Sequence, residues 1–360
     1  MCQQLALPQA GSGVPPMADT RTDRVLIIAE AGVNHDGSIE QALRLIDVAA
    51  DAGADLVKFQ TFDANALVTA NAGLAAYQEN ASDPADATHD AGQLAMLKRL
   101  QLSEQDHLTL ISHCEARGIG FFSTAFDLES LDFLARLGAE RFKVPSGEIT
   151  NLPYLRRIAS FQKDVIMSTG MAELSEIGDA IDCLEAAGLP KDKITLLHCT
   201  TEYPAPIEEV NLRAMDAMAA TFGVEVGYSD HTDGIDVAIA AVAIGASVIE
   251  KHFTLDKNLP GPDHSASLEP EALKAMVKGI RRIERALGSA KKQCTASERK
   301  NIRLVRKSIV AARAISADEV FSEENLTVKR PATGLSPMLW DGVIGKRASR
   351  SFMPDEVIEL

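Results

Sequence analysis

From Arg24 onward the chain alternates short, β-rich apolar runs with longer amphipathic stretches, and this alternation constrains its fold more than any other feature. Eight runs are read: Val25 to Glu30, Asp55 to Gln60, Ile119 to Thr124, Arg141 to Ser146, Asp164 to Thr169, Ile194 to Cys199, Val224 to Ser229 and Ser247 to Phe253. Strands buried on both faces read as nearly continuous apolar segments, the condition of a parallel sheet covered by helices. Helical periodicity between them predicts helices over Ser38 to Ala52, Ser103 to Arg117, Glu173 to Ala187 and Glu269 to Leu287, with Ser103 as N-cap and Gly118 as the stop. Eight strand–helix units over about 265 residues match a closed (β/α)₈ TIM barrel. An open doubly wound sheet usually announces a nucleotide with a glycine-rich first turn, and the first turn here, Glu30 to Gly37, is no G-x-G-x-x-G.

Each run is apolar early and ends in hydrogen-bonding or charged groups: Glu30, Lys58 with Gln60, Ser123 with Thr124, Ser146, Ser168 with Thr169, His198 with Thr200, Ser229 with His231, and Glu250 with His252. In a barrel these ends converge on one mouth, where active sites of the fold sit. Lys58 and Lys143 lie inside otherwise buried runs, and lysine is almost never fully buried unless paired. With Thr124, Ser146 and Ser168 nearby they suggest a cradle for phosphate or carboxylate, although any one hydroxyl alone would read as a strand end or N-cap. Glu148 and Glu30 are candidate acid–base groups at the same mouth.

His231 and His252 stand in strand-like frames 21 residues apart, which excludes a single helix and fits the adjacent strands seven and eight. A lone histidine in such a frame is more often a satisfied structural residue, so the pair is weighed by its surroundings. Two imidazoles leave most positions on a divalent ion open to water and substrate oxygen, which suits Lewis-acid catalysis; manganese, zinc, iron and cobalt are all admissible on ligand grounds.

Residues 1 to 20 read as a loose tail, with Met17 as an alternative start, and nothing approaches a membrane span. The connection from Thr61 to about Asp90, carrying Tyr77, is unusually long and reads either as a lid over the mouth or as a surface insertion. Residues 289 to 301 read as a polar linker, and 302 to 360 as a small irregular β domain with runs at Ser308 to Ala312, Leu326 to Lys329 and Val357 to Leu360. A net charge of −15 argues against nucleic acid or an anionic membrane as the main partner. Five widely spaced cysteines without a C-x-x-C pair suggest neither a disulfide framework nor a zinc knuckle and fit a reducing cytoplasm.

The chain strongly resembles the bacterial sialic acid synthase family, which condenses phosphoenolpyruvate with an N-acetylated mannose-type sugar. The motifs that carry the resemblance include Ile28 to Gly37, Val57 to Thr61, Pro145 to Glu148, Ser168 to Met171, Leu197 to Thr200, Tyr203-Pro204, Gly227 to His231, Glu250 to Phe253 and Gly261 to Asp263. The tail, with Val328 to Pro331 and Gly334 to Pro337, is similar to the family's antifreeze-like (SAF, β-clip) module. The resemblance implies that His231 and His252 hold a divalent ion, usually manganese, with magnesium or cobalt as alternatives. It places phosphoenolpyruvate among Lys58, Thr124, Lys143, Ser146, Ser168, Thr201 and Ser229, and assigns proton handling to Glu148 and Glu30. Gln60, Tyr203 and Asp263 would meet the sugar hydroxyls, and Arg330 would reach the N-acetyl end from the partner subunit of a domain-swapped homodimer. Thr201 departs from the asparagine of some members, and Asp318 and Asp355 stand at turns that often use glycine.

The leading expectation is a cytoplasmic N-acetylneuraminate synthase using N-acetylmannosamine. The alternative is an N,N'-diacetyllegionaminic acid synthase using a 2,4-diacetamido-trideoxymannose, with pseudaminic acid synthesis behind it. Two further classes stand beside these: a non-catalytic carbohydrate-binding protein, and a barrel aldolase forming a Schiff base on Lys58 or Lys143.

Overall fold

The computed structural model describes residues 24–69 and 92–360. The tail of residues 1–20 with Met17, and Tyr77 with most of the long connection, lie outside the described residues. Two compact units divide at Gly288 and Ser289.

In the first unit the eight expected runs are eight strands: β1 (Leu26–Gly32), β2 (Leu56–Thr61), β3 (Gly120–Ala125), β4 (Arg141–Val144), β5 (Asp164–Ser168), β6 (Ile194–His198), β7 (Glu225–Asp230) and β8 (Val248–His252). They form one parallel sheet in the order β3-β2-β1-β8-β7-β6-β5-β4, so that the first strand pairs with both the second and the last. β3 and β4 meet without a ladder between them, which leaves the ring a barrel closed by packing at that seam. The helices carry the expected punctuation. Ser38 caps Ile39–Ala52, Ser103 forms a capping box with Asp106 ahead of Glu104–Arg117, and Gly118 stops that helix at φ 68°.

The two-residue period of a strand decides what the barrel holds. Leu26, Ile28, Leu56, Phe122, Ile166, Leu197 and Val248 pack together as an apolar plug inside the ring. Two residues further along the same strands the inward positions are Glu30, Lys58, Thr124, Ser168, Cys199 and Glu250. A polar layer therefore rests on an apolar floor. The outward faces pack against the helices in a separate core that includes Ile27, Ala29, Val57, Phe59, Leu45, Ile46 and Ile280.

The second unit pairs β9 (Ser308–Ala311) with β10 (Leu326–Lys329) antiparallel, around a core of Ile309, Ile315, Phe321, Leu326, Val343, Phe352 and Ile358. Two expectations are corrected there. The polar segment read as a linker contains a helix, Ala296–Val305, started by a capping box of Thr295 with Glu298. It buries no residue in the structure, so no apolar stripe marked it in the sequence. Val357 to Leu360 is no strand: Val357 makes only an isolated bridge to Val310. Asp318 and Asp355 adopt φ of 68° and 69°, left-handed positions that aspartate tolerates better than most residues.

Candidate active site

The ends of the barrel strands enclose a cavity of about 400 Å³. Fourteen of the fifteen residues singled out from the sequence line it: Glu30, Lys58, Gln60, Thr124, Lys143, Ser146, Glu148, Ser168, Thr201, Tyr203, Ser229, His231, His252 and Asp263. Arg330 belongs to the second unit, exposed, immediately after β10.

The cavity's deepest layer is an ionic network. Lys58 Nζ lies 3.0 Å from Glu30 Oε2 and 3.2 Å from Glu250 Oε2, and donates to Thr124 Oγ1 at 3.0 Å. Lys143 Nζ donates to Ser168 Oγ at 2.8 Å and lies 3.3 Å from Glu250 Oε1, which also accepts from Ser229 Oγ at 3.0 Å. Glu250 thus joins both lysines. Sequence reasoning noted it as a polar strand end and gave it no role; its place two residues before His252, on the same face of β8, was the available signal.

Burial and neighbouring charge divide the two carboxyls. Burial pushes Glu30 up to about 8, against the pull of Lys58 and with the help of Glu250. Burial presses Glu250 the same way, but Lys143 and Lys58 outweigh it and hold that carboxylate well below its usual range. For Lys58, burial favours the neutral amine, and Glu250 and Glu30 more than offset it, so its pKa is raised. Burial lowers that of Lys143, with Glu250 opposing. At neutral pH the Glu30 carboxyl is protonated and the Glu250 carboxylate is ionised beside two buried lysines, a layer suited to holding a small polyanion. An ammonium kept charged mainly by the Glu250 carboxylate is the opposite of what Schiff-base chemistry needs, which argues against Lys58 as the amine of an aldolase.

Ser146 sits at the edge of this layer, accepting from the Gly170 backbone N–H at 3.0 Å and touching Cys199 Sγ at 3.3 Å. A Cβ on Gly170 would come within 2.7 Å of Thr201 Cγ2 and 2.8 Å of Ser146 Oγ. Gly170→Ala is therefore expected to leave the protein folded while raising KM for an anionic substrate by roughly tenfold, since both hydroxyl residues must shift. Steady-state kinetics with a thermal melt checks this.

The two imidazoles stand above the lysines. Their ring centroids are 5.7 Å apart, and the Tyr203 ring lies 4.1 Å from that of His231. His231 donates its Nδ1–H to the Thr200 carbonyl at 2.6 Å, which fixes the tautomer and leaves Nε2 as a lone-pair donor. Burial lowers His231 to about 4 and lowers His252 well below its ordinary value, with His231 and Lys58 reinforcing the effect on His252, so both rings are neutral at pH 7. His252 Nδ1 is buried without a hydrogen-bond partner, with Asp263 Oδ2 at 3.9 Å. Two neutral imidazoles this close together have the donor chemistry that suits a divalent ion. Among the described residues no group of three or more His, Cys, Asp or Glu is placed to hold a metal ion. Burial raises Asp263 to about 6, opposed by His264 and reinforced by Asp36. Glu148, in the turn after β4, accepts from Asn151 Nδ2 at 2.5 Å.

One wall of the cavity is apolar, made by Val33, Leu67, Val68, Met96, Leu97, Leu100 and Phe126. Its residues come from the loop after β1, from the helices Ala64–Leu67 (with Val68 just after it) and Gln93–Leu100, and, for Phe126, from the residue that follows β3. None was anticipated, though Leu94, Leu97 and Leu100 recur every third residue.

The NeuB family model matches residues 45–292 and the SAF domain model residues 306–359. The chain belongs to the NeuB family. It is 52% identical to the N,N'-diacetyllegionaminic acid synthase of Campylobacter jejuni over 93% of this chain and 99% of that one. It is 46% identical to the enzyme of the same name from Legionella pneumophila, over 94% of each. A crystal structure of the N-acetylneuraminic acid synthetase of Leptospira borgpetersenii in complex with citrate superposes with a TM-score of 0.66 at 35% identity, covering 78% of this chain and 90% of that one. This NeuB-family chain is an enzyme, a synthase of the nonulosonic-acid type, which sets aside the reading as a non-catalytic binding protein. Among its described residues no helix is long and apolar enough to cross a membrane.

Proposed function

We propose that the cavity binds phosphoenolpyruvate on Lys58, Lys143, Thr124, Ser146, Thr201, Ser168 and Ser229 and joins its C3 to the aldehyde carbon of 2,4-diacetamido-2,4,6-trideoxymannose, giving N,N'-diacetyllegionaminic acid. The neuraminate product expected from the sequence gives way to this alternative. The observation that carries the choice is the apolar wall that lines the same cavity as the charged layer. A trideoxy sugar with two acetamido groups carries three methyls, whereas N-acetylmannosamine carries one methyl and a C6 hydroxyl that such a wall would leave without partners. The two legionaminic acid synthases at 52% and 46% identity support the same reading.

In this reading the double-bond electrons of phosphoenolpyruvate attack the aldehyde carbon, water adds at C2, and the tetrahedral adduct expels phosphate by C–O cleavage. Lys58 and Lys143 hold the anion and stabilise charge on the departing phosphate. Glu30, protonated at neutral pH, and Glu148 give and take protons in this reading, which their position in the cavity lining supports. Gln60, Tyr203 and Asp263 orient the sugar. A divalent ion on His231 and His252, with manganese, magnesium or cobalt as candidates, would supply Lewis-acid polarisation of the sugar carbonyl. The exposed Arg330 is proposed to complete the acetamido site of a partner protomer in a homodimer, and a cytoplasmic setting fits the chemistry.

Competing the two sugars tests the substrate. Discrimination between a methyl and a hydroxyl on an apolar wall is worth roughly 10- to 200-fold, so kcat/KM is expected to favour the diacetamido sugar by at least about tenfold. Equal or reversed preference would return the assignment to neuraminate.

A further inference from the structure

Along β7 and β8 the side chains alternate. Ser229, His231, Glu250 and His252 line the cavity, while Asp230 and Lys251 point away from it and are paired residues in the ladder. Lys251 Nζ lies 2.8 Å from Asp230 Oδ2, with side-chain exposures of 1% and 0%. The same ammonium donates to the Thr232 carbonyl at 2.7 Å. Asp230 Oδ1 accepts from the Thr232 N–H at 2.9 Å and from its hydroxyl at 2.7 Å. The residues before and after His231 are therefore both tied to Lys251, the residue before His252. Neither Asp230, Thr232 nor Lys251 lines the cavity.

A buried ion pair is weak evidence for stability, because desolvation offsets most of the attraction, and apolar residues would fill the same space. What this pair does supply is register. It fixes the turn carrying His231 against the strand carrying His252, in the way that outer groups orient metal-binding imidazoles. We propose that Asp230, Thr232 and Lys251 form a positioning clamp that sets the spacing of the two imidazoles for a divalent ion. The inference rests on the proposed reading of His231 and His252 as an ion site.

The test is Mn²⁺ affinity of the full chain by isothermal titration or by loss of the free-ion paramagnetic signal, together with phosphoenolpyruvate affinity without metal and the thermal midpoint. The double variant D230N/K251M removes both charges and strands neither. It is expected to weaken Mn²⁺ binding by roughly 10- to 100-fold and to leave phosphoenolpyruvate affinity within about twofold. Thr232→Val, which loses a single hydroxyl contact, is expected to fold as wild type and to weaken Mn²⁺ binding by about threefold, so the proposal stays testable if the double variant does not fold. Arg281→Met breaks an ion pair with Asp55, the residue just before β2 at the opposite end of the barrel, and is expected to lower the melting temperature with unchanged Mn²⁺ affinity. Folded D230N/K251M or T232V with wild-type Mn²⁺ affinity would overturn the clamp. Wild-type protein that fails to bind Mn²⁺ would instead remove the ion-site reading beneath it.

Discussion

Replacing Lys58 with methionine is expected to lower kcat/KM for phosphoenolpyruvate by at least about a hundredfold. The methionine keeps the length and apolar stem, so what is lost is charge. Lys58 is 4% exposed and contacts Glu30, Glu250 and Thr124 at once. Removing one partner of a buried, hydrogen-bonded charge set costs about 3–5 kcal/mol, and a loss of that size in anion binding is, at roughly 1.4 kcal/mol per tenfold, about 10²- to 4 × 10³-fold. Thr124→Val removes a single hydroxyl from the same ammonium and is expected to cost only about tenfold, the size of one hydrogen bond to a charged group. Steady-state kinetics on the two variants separates these magnitudes. Equal effects would mean that the ammonium is not the anion-binding group.

Glu250→Gln is the second large effect. The carboxylate lies between two ammoniums, 3.2 Å from Lys58 and 3.3 Å from Lys143, and accepts from Ser229. An amide of the same shape leaves Lys58 with Glu30 alone and Lys143 without a carboxylate, at a cost of about 3 kcal/mol. For a domain of this size that is a fall of roughly 6–12 °C in melting temperature. An anion added to the solution would take the carboxylate's place. Phosphate or phosphoenolpyruvate is therefore expected to raise the melting temperature of the variant by more than it raises that of the wild type, while kcat falls. Differential scanning calorimetry with and without phosphate reads both. A variant melting at the wild-type temperature and indifferent to phosphate would show that Glu250 does not organise the two lysines.

The barrel was legible because its strands are buried on both faces, so each wrote a continuous apolar run followed by a polar end. The site was legible for the same reason: an inward lysine at position 58 or 143 has no place in such a run unless it is paired. Features whose meaning lies in pairing across space were not legible. Glu250 looks like any polar strand end until its two lysines are seen around it. The helix Ala296–Val305 has no buried face, so only the Thr295–Glu298 capping box marked it. The apolar wall comes from either side of a long connection, and nothing local says that Leu67 and Leu97 face one cavity. That wall is what shifts the expected sugar from N-acetylmannosamine to its trideoxy diacetamido relative.

The proposed condensation needs both an anion cradle and a sugar pocket in one barrel mouth. It is tested most directly by following inorganic phosphate released from phosphoenolpyruvate with Mn²⁺, with no sugar, with N-acetylmannosamine and with 2,4-diacetamido-2,4,6-trideoxymannose, each with and without EDTA. Phosphate release is expected only when a sugar is present, fastest with the diacetamido sugar, and abolished by chelation. Phosphate released without any sugar, or none released with either sugar from protein that binds Mn²⁺ and phosphoenolpyruvate, would contradict it.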